Sequence, residues 1–267
     1  MALEQHTNIP LRYWQQVENS RKYVLPFIEK AFPVKPGMKV MEIGCAEGGV
    51  LVPFIERGCY VLGVDLIEER INTATEYNKE AVDKGLADFR AKNVYDEDFV
   101  EEFTSAFDLI LLKDAIEHIP QQEKFIPHLK KLLKPHGQVY FGFPPWYMPH
   151  GGHQQICENK FLSMLPYFHL LPAALYKGVL KSFGEDKGII KELLDIKSTG
   201  ISIERFEKIA ADTGFEITNK QHYLINPIYE YKFKLKPRKQ TSVISAIPYV
   251  RDFLTTCVYY MIRQKSV

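Results

Sequence analysis

The sequence predicts an α/β fold: a mostly parallel sheet with helices on both faces and an antiparallel edge strand. Three observations carry this. Between residues 39 and 143, short apolar runs alternate with helical patterns. The runs lie near 39–43, 60–65, 87–91, 107–113 and 138–143, and the helices near 49–57, 68–84, 97–103 and 121–134. Continuous apolar strands separated by helices imply a parallel sheet covered on both sides. Polar or glycine residues close these runs, at Gly44, Asp65, Asn93 and Lys113–Asp114, and ligands of such sheets bind beyond the carboxyl ends of the strands. After residue 228, Tyr229, Tyr231, Phe233 and Leu235 alternate with Glu230, Lys232, Lys234 and Lys236. That alternation predicts a half-exposed strand over 228–236, antiparallel at the sheet edge.

Composition fits this class. A chain of 267 residues fits one large α/β domain or two small ones, and 46% apolar content is enough for a full core. Its net charge of +1 gives no whole-chain argument for nucleic acid. Cysteines stand far apart, at 45, 59, 157 and 257, with no C-x-x-C pair, so neither a zinc ribbon nor a disulfide framework is expected. Met1–His6 carries no signal-peptide pattern, and no run approaches the roughly 18 apolar residues of a membrane span. The expectation is a protein of the reducing cytoplasm.

Taken in order, Tyr13, Val17, Val24, Phe27 and Ile28 recur at helical spacing over 11–32, until Pro33 and Pro36–Gly37 stop the helix. An apolar strand then runs into Gly44-Cys45-Ala46-Glu47-Gly48-Gly49 and a helix start. Glycine there permits a sharp turn and close approach of backbone to a ligand. Asp65 ends the second strand about 20 residues past Gly44, where a carboxylate reaches both hydroxyls of a ribose. The fourth strand, from Phe107, leads into Asp114-Ala115-Ile116-Glu117-His118.

These residues resemble class I S-adenosylmethionine-dependent methyltransferases of the small-molecule type. The similarity is to methyltransferase type 11/23 and to ubiquinone-pathway O-methyltransferase-like proteins that carry D-x-x-E-H or E-x-x-E-H after the fourth strand. It is strong over 35–145 and loose elsewhere. The resemblance implies a Rossmann-like seven-stranded methyltransferase sheet with a helical cap insertion in a single domain, 1–267. Within it, 35–145 is the cofactor core, 146–200 the cap, and 201–267 a final helix, edge strands and a C-terminal helix. It implies S-adenosylmethionine as cofactor, contacted by Glu42, Gly44, Cys45, Ala46, Gly48, Asp65, Leu66, Asn93, Val94 and Lys113. Glu42 would answer the cofactor's ammonium, Asp65 its ribose, and Leu66 and Asn93 its adenine. The leading helix would pack beside the cleft or simply on the core. Ala46 departs from the family's frequent glycine. It also breaks the dinucleotide pattern G-x-G-x-x-G, whose second glycine admits a pyrophosphate, which weakens a nicotinamide-dependent reductase as the alternative.

Past Phe143, the stretch Pro144–Gln155 is rich in turn formers, aromatics and histidines. It is expected to wall an acceptor site. Trp146 and Tyr147 would sandwich the acceptor, Gln154 and Gln155 would orient it, and Gly151–Gly152 would let the loop fold tightly. His150, His153 and His118 are the candidate bases, because imidazole titrates near neutrality. For each, a purely structural role is the competing reading. Residues 160–197 read as an apolar helical cap, which favours a small-molecule or lipid-like acceptor over peptide or nucleic acid. Asp114, Glu117 and His118 match the resembled metal pattern, with a plain helix start as the alternative; no resident metal is assigned. Ser202 opens a helix that Gly214 stops. From Tyr229 onward, eight Lys or Arg face Glu230 and Asp252, and an apolar stripe over 249–262 predicts a basic amphipathic helix, suited to peripheral membrane contact or to a partner, with packing back on its own domain as the competing reading. A non-catalytic cofactor-binding module is the remaining alternative.

Overall fold

The computed structural model describes residues 8–265; Met1–His6 therefore lies outside the described residues. Helix α1 (Ile9–Asn19) starts at Asn8, whose side chain accepts the Leu11 N–H. It continues through a π-turn (Ser20–Val24) into α2 (Leu25–Ile28). Strand β1 (Lys39–Ile43) follows, then α3 (Val52–Glu56), β2 (Tyr60–Asp65), α4 (Glu68–Tyr77), α5 (Lys79–Asp83) and β3 (Ala87–Ala91). Next come α6 (Glu97–Glu102), β4 (Phe107–Lys113), α7 (Gln122–His128) and β5 (Leu133–Phe143).

The cap holds α8 (Lys160–Met164), α9 (Ala173–Ser182) and α10 (Lys187–Thr199) around its own apolar centre of Leu162, Phe168, Tyr176, Leu180 and Leu193. The chain returns through α11 (Ile203–Asp212), whose Ser202 side chain caps the Arg205 N–H, and β6 (Phe215–Ile225). It closes with α12 (Tyr229–Phe233), β7 (Arg238–Lys239), α13 (Ser242–Ser245), α14 (Val250–Phe253) and β8 (Cys257–Gln264).

The sheet runs β3-β2-β1-β4-β5-β8-β6-β7. The first five strands are mutually parallel, and β8 lies antiparallel between β5 and β6. Strand order reverses between β1 and β4, the place where open α/β sheets bind ligands. One apolar layer, around Ile110, Leu112 and Phe206, covers one face; a second, around Val24, Phe54 and Leu111, covers the other.

Four expectations are corrected. The strands number eight among the described residues rather than seven, the extra one being the two-residue β7. The fifth strand begins at Leu133, inside the expected 121–134 helix, because Phe107 already pairs with Leu133. Residues 229–233 form a helix, not an edge strand; Tyr231 and Trp14 meet edge to face at 5.5 Å, so α1 supplies the packing that overrides the alternating pattern. The antiparallel edge strand is present as β7, paired with β6, and a further antiparallel strand, β8, lies within the sheet. The expected amphipathic helix over 249–262 is only the four-residue α14, and Cys257–Ile262 are buried in β8. A run buried on both faces has no polar alternation to betray a strand.

Candidate functional site

The turn after β1 is built by backbone constraints. Gly44 and Gly48 hold φ of +75° and +76°. A Cβ on Gly48 would lie 2.6 Å from the Phe89 ring, so no side chain fits there. Ala46 also takes a left-handed φ of +47°, a conformation in which a Cβ costs about 1–2 kcal/mol. Its N–H donates to Asp65 Oδ2 at 3.1 Å, and the other carboxylate oxygen accepts the Ile67 N–H at 3.0 Å. Asp65 thus ties the ends of β1 and β2 together.

Helix α1 braces the loop from outside. Arg12 forms an ion pair with buried Glu47, Gln16 donates to Glu47 at 3.1 Å and accepts the Gly49 N–H at 3.1 Å, and Ser20 donates to the Val50 carbonyl at 2.7 Å. Of the two readings of the leading helix, contact with the glycine loop holds.

Beyond the strand ends lies a cleft of about 540 Å³, within the roughly 300–1,000 Å³ of small-molecule pockets. Gly44, Asp65, Leu66, Asn93 and Val94 line it, as expected. Leu66 is 74% exposed, an apolar side chain with nothing resting on it. Asn93 accepts the Tyr95 N–H at 3.1 Å. Glu42, Cys45, Ala46, Gly48 and Lys113 do not border this cavity. Glu42 is buried beneath the turn with Oε2 lacking a hydrogen-bond partner, and burial raises its pKa well above the usual carboxylate range despite Lys113 nearby. Lys113 runs under β5, its Cδ 2.9 Å from where a Cβ on Gly142 would stand, and pairs with Asp114.

A second cavity of about 200 Å³ adjoins the first. Asp114, Glu117, His150, His153, Tyr229 and Lys232 are among its walls, with Met148, Ile156 and Phe233 supplying apolar surface. Asp114 lines both cavities, with a strained φ of +52°. Glu117 is buried, and neither carboxylate oxygen has a hydrogen-bond partner; burial, then the charge of Asp114, raises its pKa to about 8. Its turn is pinned from the cap: Thr199 donates to the Glu117 carbonyl at 2.6 Å, and Gln122 bridges the Ile116 and Thr199 carbonyls. Glu117, His118 and His153 each bring one ligand-type atom into a group spanning 4.8 Å. The rings of His118 and His153 meet edge to face at 5.0 Å. Burial holds both His118 and His150 below the usual imidazole pKa, which keeps them unprotonated at neutral pH.

The structure separates the three candidate histidines. His150 and His153 face the second cavity, whereas His118 faces the cofactor-type cleft and a neighbouring hollow beneath α10. Three expectations for the loop fail. Trp146 packs on His169, with ring centroids 4.7 Å apart, and over Gly200, where a Cβ would strike its ring at 2.2 Å. Tyr147 stacks on Phe253 instead of facing Trp146. Gln154 is fully buried and donates to the Pro149 and Leu165 carbonyls, so only Gln155 reaches the cavity. Gly151 and Gly152 do allow the tight fold: a Cβ on Gly152 would lie 2.3 Å from that of His169.

Sequence reasoning missed Arg70, Lys92 and Tyr95 in the first cavity and Asn226, Tyr229 and Lys232 in the second. The last three lie around the mistaken strand. Reading 229–233 as one helical turn would have set Tyr229, Lys232 and Phe233 on a common face.

The family profile described as a methyltransferase domain matches residues 13–170. The mitochondrial ubiquinone biosynthesis O-methyltransferase of Homo sapiens is 31% identical over 124 residues, 45% of this chain and 33% of that protein. The ubiquinone biosynthesis O-methyltransferase of Actinobacillus pleuropneumoniae is 36% identical over 111 residues, 39% of this chain and 45% of that one. The chain thus spans a third to under half of these curated relatives. In fold it resembles the geranyl diphosphate C-methyltransferase of Streptomyces coelicolor, with a TM-score of 0.57, 14% identity, and coverage of 91% of this chain and 78% of that one.

Proposed function

The chain belongs to the methyltransferase-domain family, and on that premise we propose that it transfers the methyl group of S-adenosylmethionine to an oxygen, or less readily a nitrogen, of a small-molecule or lipid-like acceptor. The observation that supports this best is that Asp114 lines both cavities, so a cofactor in one and an acceptor in the other would adjoin there. The names of the curated relatives favour oxygen.

The first cavity suits the cofactor. Asp65 retains lone pairs for the ribose hydroxyls, exposed Leu66 and Tyr95 offer apolar faces to the adenine, and unpartnered Glu42 Oε2 stands ready beneath the turn for the ammonium, through water. The sulfonium supplies an excellent leaving group when the cofactor is bound. The chain's own residues hold the acceptor in line and exclude water, an effect worth up to about 7–11 kcal/mol. With the cofactor bound, His153 would accept the proton that the acceptor hydroxyl releases on methylation, and His150 is the other base lining the same cavity. An open acceptor cavity with convergent polar groups speaks for an enzyme over a non-catalytic binding module. Four buried, unpaired cysteines suit a reducing cytoplasm, and none of the described helices is long and apolar enough to cross a membrane.

A divalent cation at Glu117, His118 and His153 is the second reading, favoured by their 4.8 Å grouping and by Glu117's lack of partners. His153, rather than Asp114, completes that set. A cation there would polarise the acceptor hydroxyl.

The test is a turnover screen of S-adenosylhomocysteine release with phenols, sugars, lipids and amines, with and without EDTA, on parent and His153→Ala protein. The variant should keep S-adenosylhomocysteine affinity and lose about 10²–10⁴ in rate. A parent protein that fails to bind S-adenosylhomocysteine sinks the proposal. EDTA-insensitive turnover removes the cation.

A further inference from the structure

We propose that the segment from Phe233 to Leu254 is a docking surface for an anionic lipid bilayer, set at the mouth of the acceptor cavity. The segment is joined to that cavity at both ends. Phe233 lines the cavity and is 44% exposed. At the other end Phe253 stacks on Tyr147, ring centroids 5.2 Å apart, and Tyr147 immediately precedes the cavity residue Met148. Tyr167 of the cap extends the same aromatic group, its hydroxyl donating to the Phe253 carbonyl at 3.2 Å.

Between these ends the surface is apolar and basic together. Val243 is 69% exposed and Tyr249 71%, and Ile247, Val250 and Leu254 are exposed beside them. Five exposed apolar side chains within one short segment are a feature of interaction sites rather than of an ordinary solvated face. Lys234, Lys236, Arg238 and Lys239 are exposed cations. The segment's one acid, Asp252, is buried and accepts the Tyr147 and Ile203 N–H groups. Glu204 and Glu207 beneath it are occupied by Arg251. The outward charge is therefore of one sign.

An apolar face ringed by cations matches the acyl boundary and phosphate headgroups of an anionic leaflet, and a soluble acidic protein would not need the projecting Val243 and Tyr249. This surface is distinct from the amphipathic helix expected at 249–262, whose stripe from Cys257 onward is sheet core. The inference deepens the lipid-like acceptor reading: an acceptor drawn from the bilayer enters the cavity past Phe233 and Met148 without crossing water.

The experiment is co-sedimentation with vesicles of phosphatidylcholine alone and of phosphatidylcholine with phosphatidylglycerol, at low and high salt. Three proteins are compared: the parent, Lys236→Glu/Lys239→Glu and Val243→Ser/Tyr249→Ser. Thermal melts and S-adenosylhomocysteine affinity, which these exposed substitutions leave unchanged, report on folding and on the cofactor site separately. The parent should sediment with the phosphatidylglycerol vesicles only, less at high salt, and each variant should lose about tenfold or more in partitioning. The proposal is overturned if the parent stays in the supernatant with both vesicle types, if folded variants sediment as the parent does, or if the apolar variant instead abolishes a dimer seen by sedimentation velocity while the parent ignores vesicles.

Discussion

Asp65 holds Ala46 in a left-handed turn through a 3.1 Å hydrogen bond to its backbone N–H, so one carboxylate both shapes the loop and lines the cleft. Asp65→Ala should weaken S-adenosylhomocysteine binding by about 1.5–3 kcal/mol, the worth of a charge-assisted acceptor. Ala46→Gly removes the strained Cβ at the cost of some backbone entropy and should raise stability by about 1 kcal/mol while keeping affinity. Calorimetry and thermal melts check both; unchanged affinity in the Asp65 variant would rule out the ribose assignment.

Glu117 links stability to pH. Its folded pKa of about 8 lies above the unfolded value of 4.5, so the parent is unpenalised below pH 4.5 and loses stability as pH rises towards 8. In metal-free buffer, Glu117→Gln should match the parent near pH 4.5 and exceed it by about 2–4 kcal/mol above pH 8. Its turnover should fall if the carboxylate serves chemistry. Urea melts at the two pH values decide this, and parallel stability at both would mean that Glu117 is already charged and paired.

Strand β8 predicts the fate of a truncated chain. Tyr259, Tyr260 and Met261 are fully buried, paired with β5 on one side and β6 on the other. Ending the chain after Lys239 should therefore abolish cooperative unfolding, and Met261→Ala should cost about 2–5 kcal/mol. A truncated protein with a normal melting transition would contradict the sheet order.

Part of the first cavity's lining is legible in the sequence because its signals are local. A glycine pair with positive φ and an acid at the next strand's end lie within one strand-turn-helix unit, where backbone chemistry fixes sequence. The second cavity's lining is not. Tyr229 and Lys232 reach their cavity only because α1 captures α12, and Trp146 turned inward because Gly200, far along the chain, leaves room for its ring. Alternation at 229–236 reads equally as a strand until that neighbour is known. Buried on both faces, β8 shows only apolar residues, which suit a helix as well as a strand. Histidine 169 also escaped notice: it is buried, pressed to a pKa of about 4 by that burial, and bonds the Trp146 carbonyl, serving the loop's shape rather than its chemistry.

The placing of β8 has a consequence for how the protein is made. A ribosome delivers residues 257–264 after the other seven described strands have emerged, yet those residues fill the gap between β5 and β6. Until they arrive, both neighbours present open hydrogen-bonding edges flanked by apolar side chains, the kind of edge on which partly made chains pair with one another. The nascent cofactor half, β1 to β4 with its glycine turn, has no such gap. Early cofactor capture would give the growing chain a stable half on which β8 closes the sheet.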